Sequence, residues 1–160
     1  MIWKPKYEGK DHINIYSKSN QLVGRAMSNF YKSVFVHPTY GKFYSIEGFY
    51  FWLLTGKQHH RLKSMYGFRA KSEGIKLKKV RTLNKVFKEE IVYALGLKVV
   101  QNPYIQELLI KSELPFTHYY YYGGMYENPK IYDRSKQGDY LIDAAEIIRI
   151  KLKKYGRAIN

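Results

Sequence analysis

The stretch "SIEGFYFWLLTG", residues 45–56, restricts the fold more than any other part of the chain. Ser45 is a capping residue and Gly56 a stop, and between them Ile46, Phe49, Tyr50, Leu53 and Leu54 recur at helical spacing. Phe51 and Trp52 cover the opposite side, so the predicted helix is apolar all round and belongs in the interior. Its only charged side chain is Glu47, in the first turn. Burying an ionised carboxylate without partners costs on the order of several kcal/mol. Glu47 therefore either meets a cation at the helix start or lines a pocket with a raised pKa. The helix N-terminus favours the charged form, by about 0.3–1 kcal/mol.

The rest of the chain supplies a body in which such a helix can be buried. At 160 residues it is long enough for a real core and is read as one domain, 1–160. "HINIY" alternates as a half-buried strand does, and "YKSVFV" and "KFY" form a predicted hairpin around "HPTYGK". Asn84 opens a helix with Phe87, Ile91, Ala94, Leu95 and Lys98 on one face. Asn102 and Pro103 start another, and a last helix runs from about Tyr140 to Tyr155, stopped by Gly156. There Leu141, Ala144, Ala145, Ile148 and Leu152 point inward. The expected class is α+β, a helix-dominated domain with a few short N-terminal strands.

Net charge is +15, concentrated in residues 71–88 and 149–157, which suits a polyanionic neighbour or a phosphate-bearing ligand and equally suits solvated, lysine-rich helix faces. Seventeen tyrosines suit a core that borders polar ligands. Four of them stand together in "HYYYYGG", residues 118–124, which reads first as a stacking strip. The absence of cysteine excludes disulfides and thiolate metal sites, and the five histidines show no ligand spacing with acids, so no metal and no cofactor is expected. No apolar window has the length of a signal or membrane span; a cytoplasmic protein with no membrane partner is the expectation.

Five segments, in order, resemble the NADAR (YbiA-like) family. In "MSNFYKSVF", Ser28, Asn29 and Phe30 match the family's Ser-Asn-Phe segment. In "YSIEGFYFW", Ser45, Glu47, Phe49 and Tyr50 match its "Ser-Val-Glu-His-Tyr-Tyr" helix start, with Ile46 for Val and Gly48 for His. "FRAKSEG" is similar to its Ala-Lys-x-x-Gly segment through Ala70, Lys71 and Gly74. "ALGLKVVQNPYIQELLIKS" follows with Lys98, Asn102, Pro103 and Leu109, and "DYLIDAAEIIR" with Asp139, Leu141 and Arg149. The resemblance covers about residues 13–152.

It implies a NADAR-like fold and an N-glycosidase or other hydrolase acting on ADP-ribose-type or ribosyl-nucleotide substrates, including ADP-ribosylated nucleic acid. Glu47 would be the catalytic carboxylate, supplying negative charge near C1′ and activating water. Arg69 and Lys71 are candidates for the ligand's phosphates, Asn29 for a ribose hydroxyl, and Ser28, Phe30 and Tyr50 for the rest of the ligand-binding surface. Where relatives carry an aspartate and a Trp-Gly pair, this chain has "PFTHYYYYGG", with Tyr119 at the acid and Tyr122 and Gly123 at the pair. His118 would then take over proton transfer, with Tyr119 and Tyr122 facing the ligand from a wall opposite Glu47. Two alternatives stand beside the enzyme: a non-enzymatic nucleic-acid-binding protein, and a catalytically impaired binder that sequesters a nucleotide-derived ligand.

Overall fold

The computed structural model describes residues 3–156. Two compact units emerge: residues 29–103 make one, and the segments before and after them make the other. Six α-helices and six strands of no more than four residues occur among the described residues, an α+β content in which helices dominate. Three of those strands lie beyond residue 115, so the strands are not confined to the N-terminal part as expected.

In the 29–103 unit, β2 (Phe35–His37) and β3 (Gly41–Phe43) form the expected antiparallel hairpin, pairing Phe35 with Phe43 and His37 with Gly41. Gly41 has φ +83°, which the tight return of the chain requires of a residue without Cβ. The free edge of β2 is closed by a side chain: the Gln101 amide accepts from Val36 N–H (2.7 Å) and donates to the Val36 carbonyl (2.9 Å). An amide thus replaces a neighbouring strand on an edge that would otherwise invite pairing.

Helix α2 (Ile46–Leu54) is buried except along Glu47 and Tyr50, which are half-buried, with Ile46, Phe49 and Leu53 wholly enclosed. The Phe35, Phe43, Phe49 and Trp52 rings interlock beneath it, at centroid separations of 4.9–6.2 Å. Two glycines permit the enclosure. A Cβ on Gly48 would collide with the Leu62 carbonyl oxygen, and one on Gly74 with the Phe51 ring. The 3-10 turn at His60–Ser64 and helix α3 (Gly67–Ile75) therefore approach α2 at backbone distance. Helix α4 (Lys85–Val100) is capped by Asn84, whose side chain accepts from Phe87 N–H (3.0 Å). It buries the predicted face of Phe87, Ile91, Ala94, Leu95 and Lys98.

In the other unit, β1 (Ile13–Asn14) runs parallel to β4 (Phe116–Thr117). "HINIY" is buried throughout rather than half-buried. Its polar residues find internal partners: Asn14 exchanges two hydrogen bonds with the Tyr119 backbone, both 2.9 Å. Glu8 is buried beside it and accepts from Asn14 N–H (2.9 Å), from the Ser19 hydroxyl and from Asn20 N–H (3.3 Å). Helix α1 (Leu22–Met27) follows that loop. Helix α5 (Pro103–Lys111) has Pro103 at its first position, as expected.

Helix α6 (Asp139–Tyr155) ends at Gly156 and buries Ala144, Ala145 and Leu152, while Leu141 and Ile148 are only half-buried. Arg149 is buried in their company. Its guanidinium donates to the Leu114 carbonyl (2.8 Å), the Ser112 hydroxyl (3.1 Å) and Glu146 (2.6 Å), and lies 4.1 Å over Phe116. Glu146 in turn accepts from Phe116 N–H (2.9 Å), so an ion pair ties α6 to β4. No helix among the described residues is long and apolar enough to cross a membrane.

The glycine contacts give opposite expectations at two sites. Gly48→Ala should lower unfolding stability by about 1–3 kcal/mol, because the colliding atom is backbone and cannot swing away. Gly96→Ala, in α4 with nothing within 4 Å of its Cβ, should raise it by about 0.5–1 kcal/mol. Urea unfolding of both variants checks the pair.

Candidate functional site

The first turn of α2 is held from three directions within its unit. Ser45 Oγ accepts from Gly48 N–H (3.0 Å) and donates to the Met65 carbonyl (2.8 Å), so the cap also ties the helix to the segment leading into α3. Glu47 N–H donates to the Asn29 carbonyl (2.9 Å), and Gly67 N–H donates to the Phe30 carbonyl (2.9 Å). Residues 29 and 30 thereby strap the start of α2 to the start of α3. Lys71, one turn into α3, sits with its ammonium 6.0 Å from the Phe30 ring centroid.

Glu47 is half-buried, part of its surface remaining in solvent. Burial pushes its pKa up to about 7, and the charge of Lys71 pulls in the opposite direction. Among the described residues no cation lies within ion-pair distance of the carboxylate and no donor bonds it. The environment is thus the desolvated one rather than a salt bridge at the helix start. Tyr50, one turn on, packs edge-to-face on Phe51 (5.1 Å) and Phe87 (5.4 Å). Arg69 is exposed; two residues from Lys71, it points away from that side of α3. Asn29, Phe30, Glu47, Tyr50 and Lys71 therefore share one unit, with Arg69 on its outer surface.

A further ionisable group of this unit is Lys98, on the buried face of α4. It is wholly enclosed, its ammonium 5.7 Å from the Tyr31 ring centroid, and burial lowers its pKa to about 7. A lysine in register with Phe87, Ile91 and Leu95 was the sequence signal for it.

The remaining expected site residues belong to the other unit. Ser28 is the buried C-cap of α1, its N–H donating to the Arg25 carbonyl (3.1 Å). His118 has Nδ1 on the Ile15 carbonyl (2.6 Å) and its ring edge-on to Tyr120 (5.3 Å). A Cβ on Gly138 would stand 2.9 Å from that ring. Burial lowers the imidazole's pKa, while the bond to Ile15 acts against the shift.

The tyrosine run is strand β5 (Tyr119–Tyr122), paired antiparallel with β6 (Lys130–Asp133). Gly123 turns the chain with φ +92°. Strand alternation corrects the expectation that Tyr119 and Tyr122 face the same way. Tyr119 is 1% exposed, and its hydroxyl meets His12 Nε2 at 2.7 Å, with Asp11 on His12 Nδ1 at 2.5 Å. Burial pushes the Tyr119 hydroxyl far above the ordinary phenol range. Tyr122 lies on the opposite face with Tyr120, Lys130, Tyr132 and Arg134, around a concavity of about 450 Å³. The pattern "YYYYGG…PKIYDR", two runs around a glycine turn, carried the hairpin signal that the sequence reading missed.

No group of three or more His, Asp or Glu side chains able to hold a metal occurs among the described residues. Compared with known proteins, the chain matches no family model, no curated protein and no solved structure.

The raised pKa of Glu47 has a consequence for stability. Its folded value, about 7, exceeds the ordinary 4.5, so between those limits the folded chain holds more proton than the unfolded chain. This contribution to stability is fully present below pH 4.5 and is lost as pH rises through about 7. Its size is on the order of 1–3 kcal/mol. Glu47→Gln should abolish that part of the decline between pH 5 and pH 8, measured by urea unfolding at both values.

Proposed function

We propose that the chain is an N-glycosidase-type hydrolase of ADP-ribose or ribosyl-nucleotide substrates with a NADAR-like site built around Glu47. The observation that carries this reading is a desolvated carboxyl of pKa about 7 at the start of an otherwise apolar helix, strapped beside Asn29, Phe30 and Lys71. Among the described residues this acid forms no ion pair, the charge of Lys71 acting on it from beyond ion-pair distance.

A carboxyl that titrates near 7 is suited to proton transfer at neutral pH, because it is substantially ionised and still basic. In its ionised form it favours positive charge developing at C1′ as the C1′–N bond breaks and the electron pair leaves with nitrogen. Water then bonds to C1′ and loses a proton to Glu47, the departing nitrogen takes a proton from solvent, and Glu47 releases its own to solvent, which restores the site. Lys71 offers charge for a phosphate, Phe30 and Tyr50 offer rings for a base or sugar, and Asn29 offers an amide for a hydroxyl. Arg69 on the outer face would meet phosphates that extend beyond the site.

No step is assigned to His118. Its Nδ1 is committed to the Ile15 carbonyl and its ring packs against Gly138.

Incubation with ADP-ribose, a ribosylamino-pyrimidine and ADP-ribosylated guanine in DNA, read by mass spectrometry, tests the proposal. At least one C1′–N bond should be hydrolysed, and Glu47→Gln should lower the rate about 10²–10⁴-fold while ligand affinity stays within a few-fold. For the wild type, kcat should rise with pH through about 7 as Glu47 ionises. Turnover undiminished in Glu47→Gln, or no turnover of any of the three by the wild type, rejects it.

A further inference from the structure

The β5–β6 hairpin presents two faces of opposite character. Its inner face is fixed: Tyr119 is locked to Asn14 and His12, and Tyr121 packs on Tyr16 (5.7 Å). The hairpin therefore cannot turn over to bury its other side. That outer side carries Tyr120, Tyr122 and Tyr132 together with Lys130 and Arg134, around the concavity of about 450 Å³. Tyr122 is 56% and Tyr132 42% exposed, an unusual display of large rings, while Tyr120 at the other end of the face is half-buried against Tyr16 (5.3 Å) and His118 (5.3 Å).

The charges on this face have one sign. Lys130 Nζ stands 5.2 Å from the Tyr132 centroid and the Arg134 guanidinium 5.7 Å from that of Tyr120. The acid of β6, Asp133, alternates to the other side and is bonded to Ser135 N–H (2.8 Å) and its hydroxyl (2.6 Å). Tyr120 and Tyr122 are two residues apart, about 6.7 Å along the strand, and Tyr122 meets Tyr132 edge-on at 5.5 Å rather than stacked. An edge-on pair covers one face of one ring and Lys130 lies over Tyr132, so ring surface remains for flat ligands beside the cations.

We infer that this outer face of the β5–β6 hairpin is a platform for single-stranded nucleic acid, with bases stacking on Tyr122 and Tyr132 and phosphates on Lys130 and Arg134. Alternating rings and cations match the alternation of base and phosphate along an unpaired strand. The bases of a duplex are stacked on one another and cannot reach the rings. The net charge of +15 favours a polyanion generally, but only a ligand with flat rings uses the tyrosines. The inference does not depend on the chemistry of Glu47.

Fluorescence anisotropy of the full chain with labelled 12-nucleotide dT and rU strands, at 50 and 200 mM salt, tests it. Both strands should bind, more tightly than a 12-base-pair duplex. Tyr122→Ala with Tyr132→Ala should weaken binding at least about 25-fold, about 5-fold or more per ring, whereas the paired Tyr→Phe variant should stay within a few-fold of wild type. Lys130→Ala with Arg134→Ala should reduce the slope of log K against log salt by about 1.4. Unchanged binding by the double Tyr→Ala variant at unchanged Tm overturns the inference. So do duplex binding as tight as single-strand binding, equal affinity for a poly-glutamate peptide, or no binding by the wild type.

Discussion

Helix α2 can be enclosed on all but its Glu47–Tyr50 edge only because Gly48 and Gly74 carry no side chain. With them, the Leu62 carbonyl and the Phe51 ring come to distances that any Cβ would forbid. The rest of the 29–103 unit follows from that approach. The Ser45 cap reaches across to Met65, the 29–30 strap binds the starts of α2 and α3, and the aromatic cluster of Phe35, Phe43, Phe49 and Trp52 closes beneath. What packs the helix also removes water from its first turn. Glu47 is thus desolvated by the same contacts that make the fold, which is how a stable core can hold an acid with a pKa near 7.

Two ionisable groups of that unit are displaced toward neutrality from opposite sides, Glu47 upward and Lys98 downward, each chiefly by burial. Each costs stability where it would otherwise be charged. A chain selected only for packing would place apolar residues at both positions. On the proposed reading, an acid and a base kept in the interior would serve a glycosidic bond broken through a cationic intermediate.

The sequence was informative wherever the deciding interaction was local. Ser45, Gly56, Asn84, Pro103 and Gly156 mark helix ends through their own backbone chemistry, and the faces of α2 and α4 follow from spacing. The parallel pairing of β1 with β4 spans about a hundred residues and leaves no local trace. Its buried polar residues, His12 and Asn14, looked solvent-facing because their partner, Tyr119, is equally distant. The same cause misassigned the tyrosine run: without β6, nothing in "HYYYYGG" says which tyrosines point inward. For the candidate site, Asn29, Phe30, Glu47, Tyr50 and Lys71 were named from the sequence and share a unit. Lys98 was seen as a core-facing residue, but its altered pKa needed the enclosure that only the fold provides.

The central claim is that the fold holds the Glu47 carboxyl near neutrality. Titration of the chain labelled with ¹³C at glutamate Cδ, with Glu47→Gln to assign the signal, measures this directly. The account predicts a midpoint near 7. A midpoint at the ordinary value of 4.5 would contradict it.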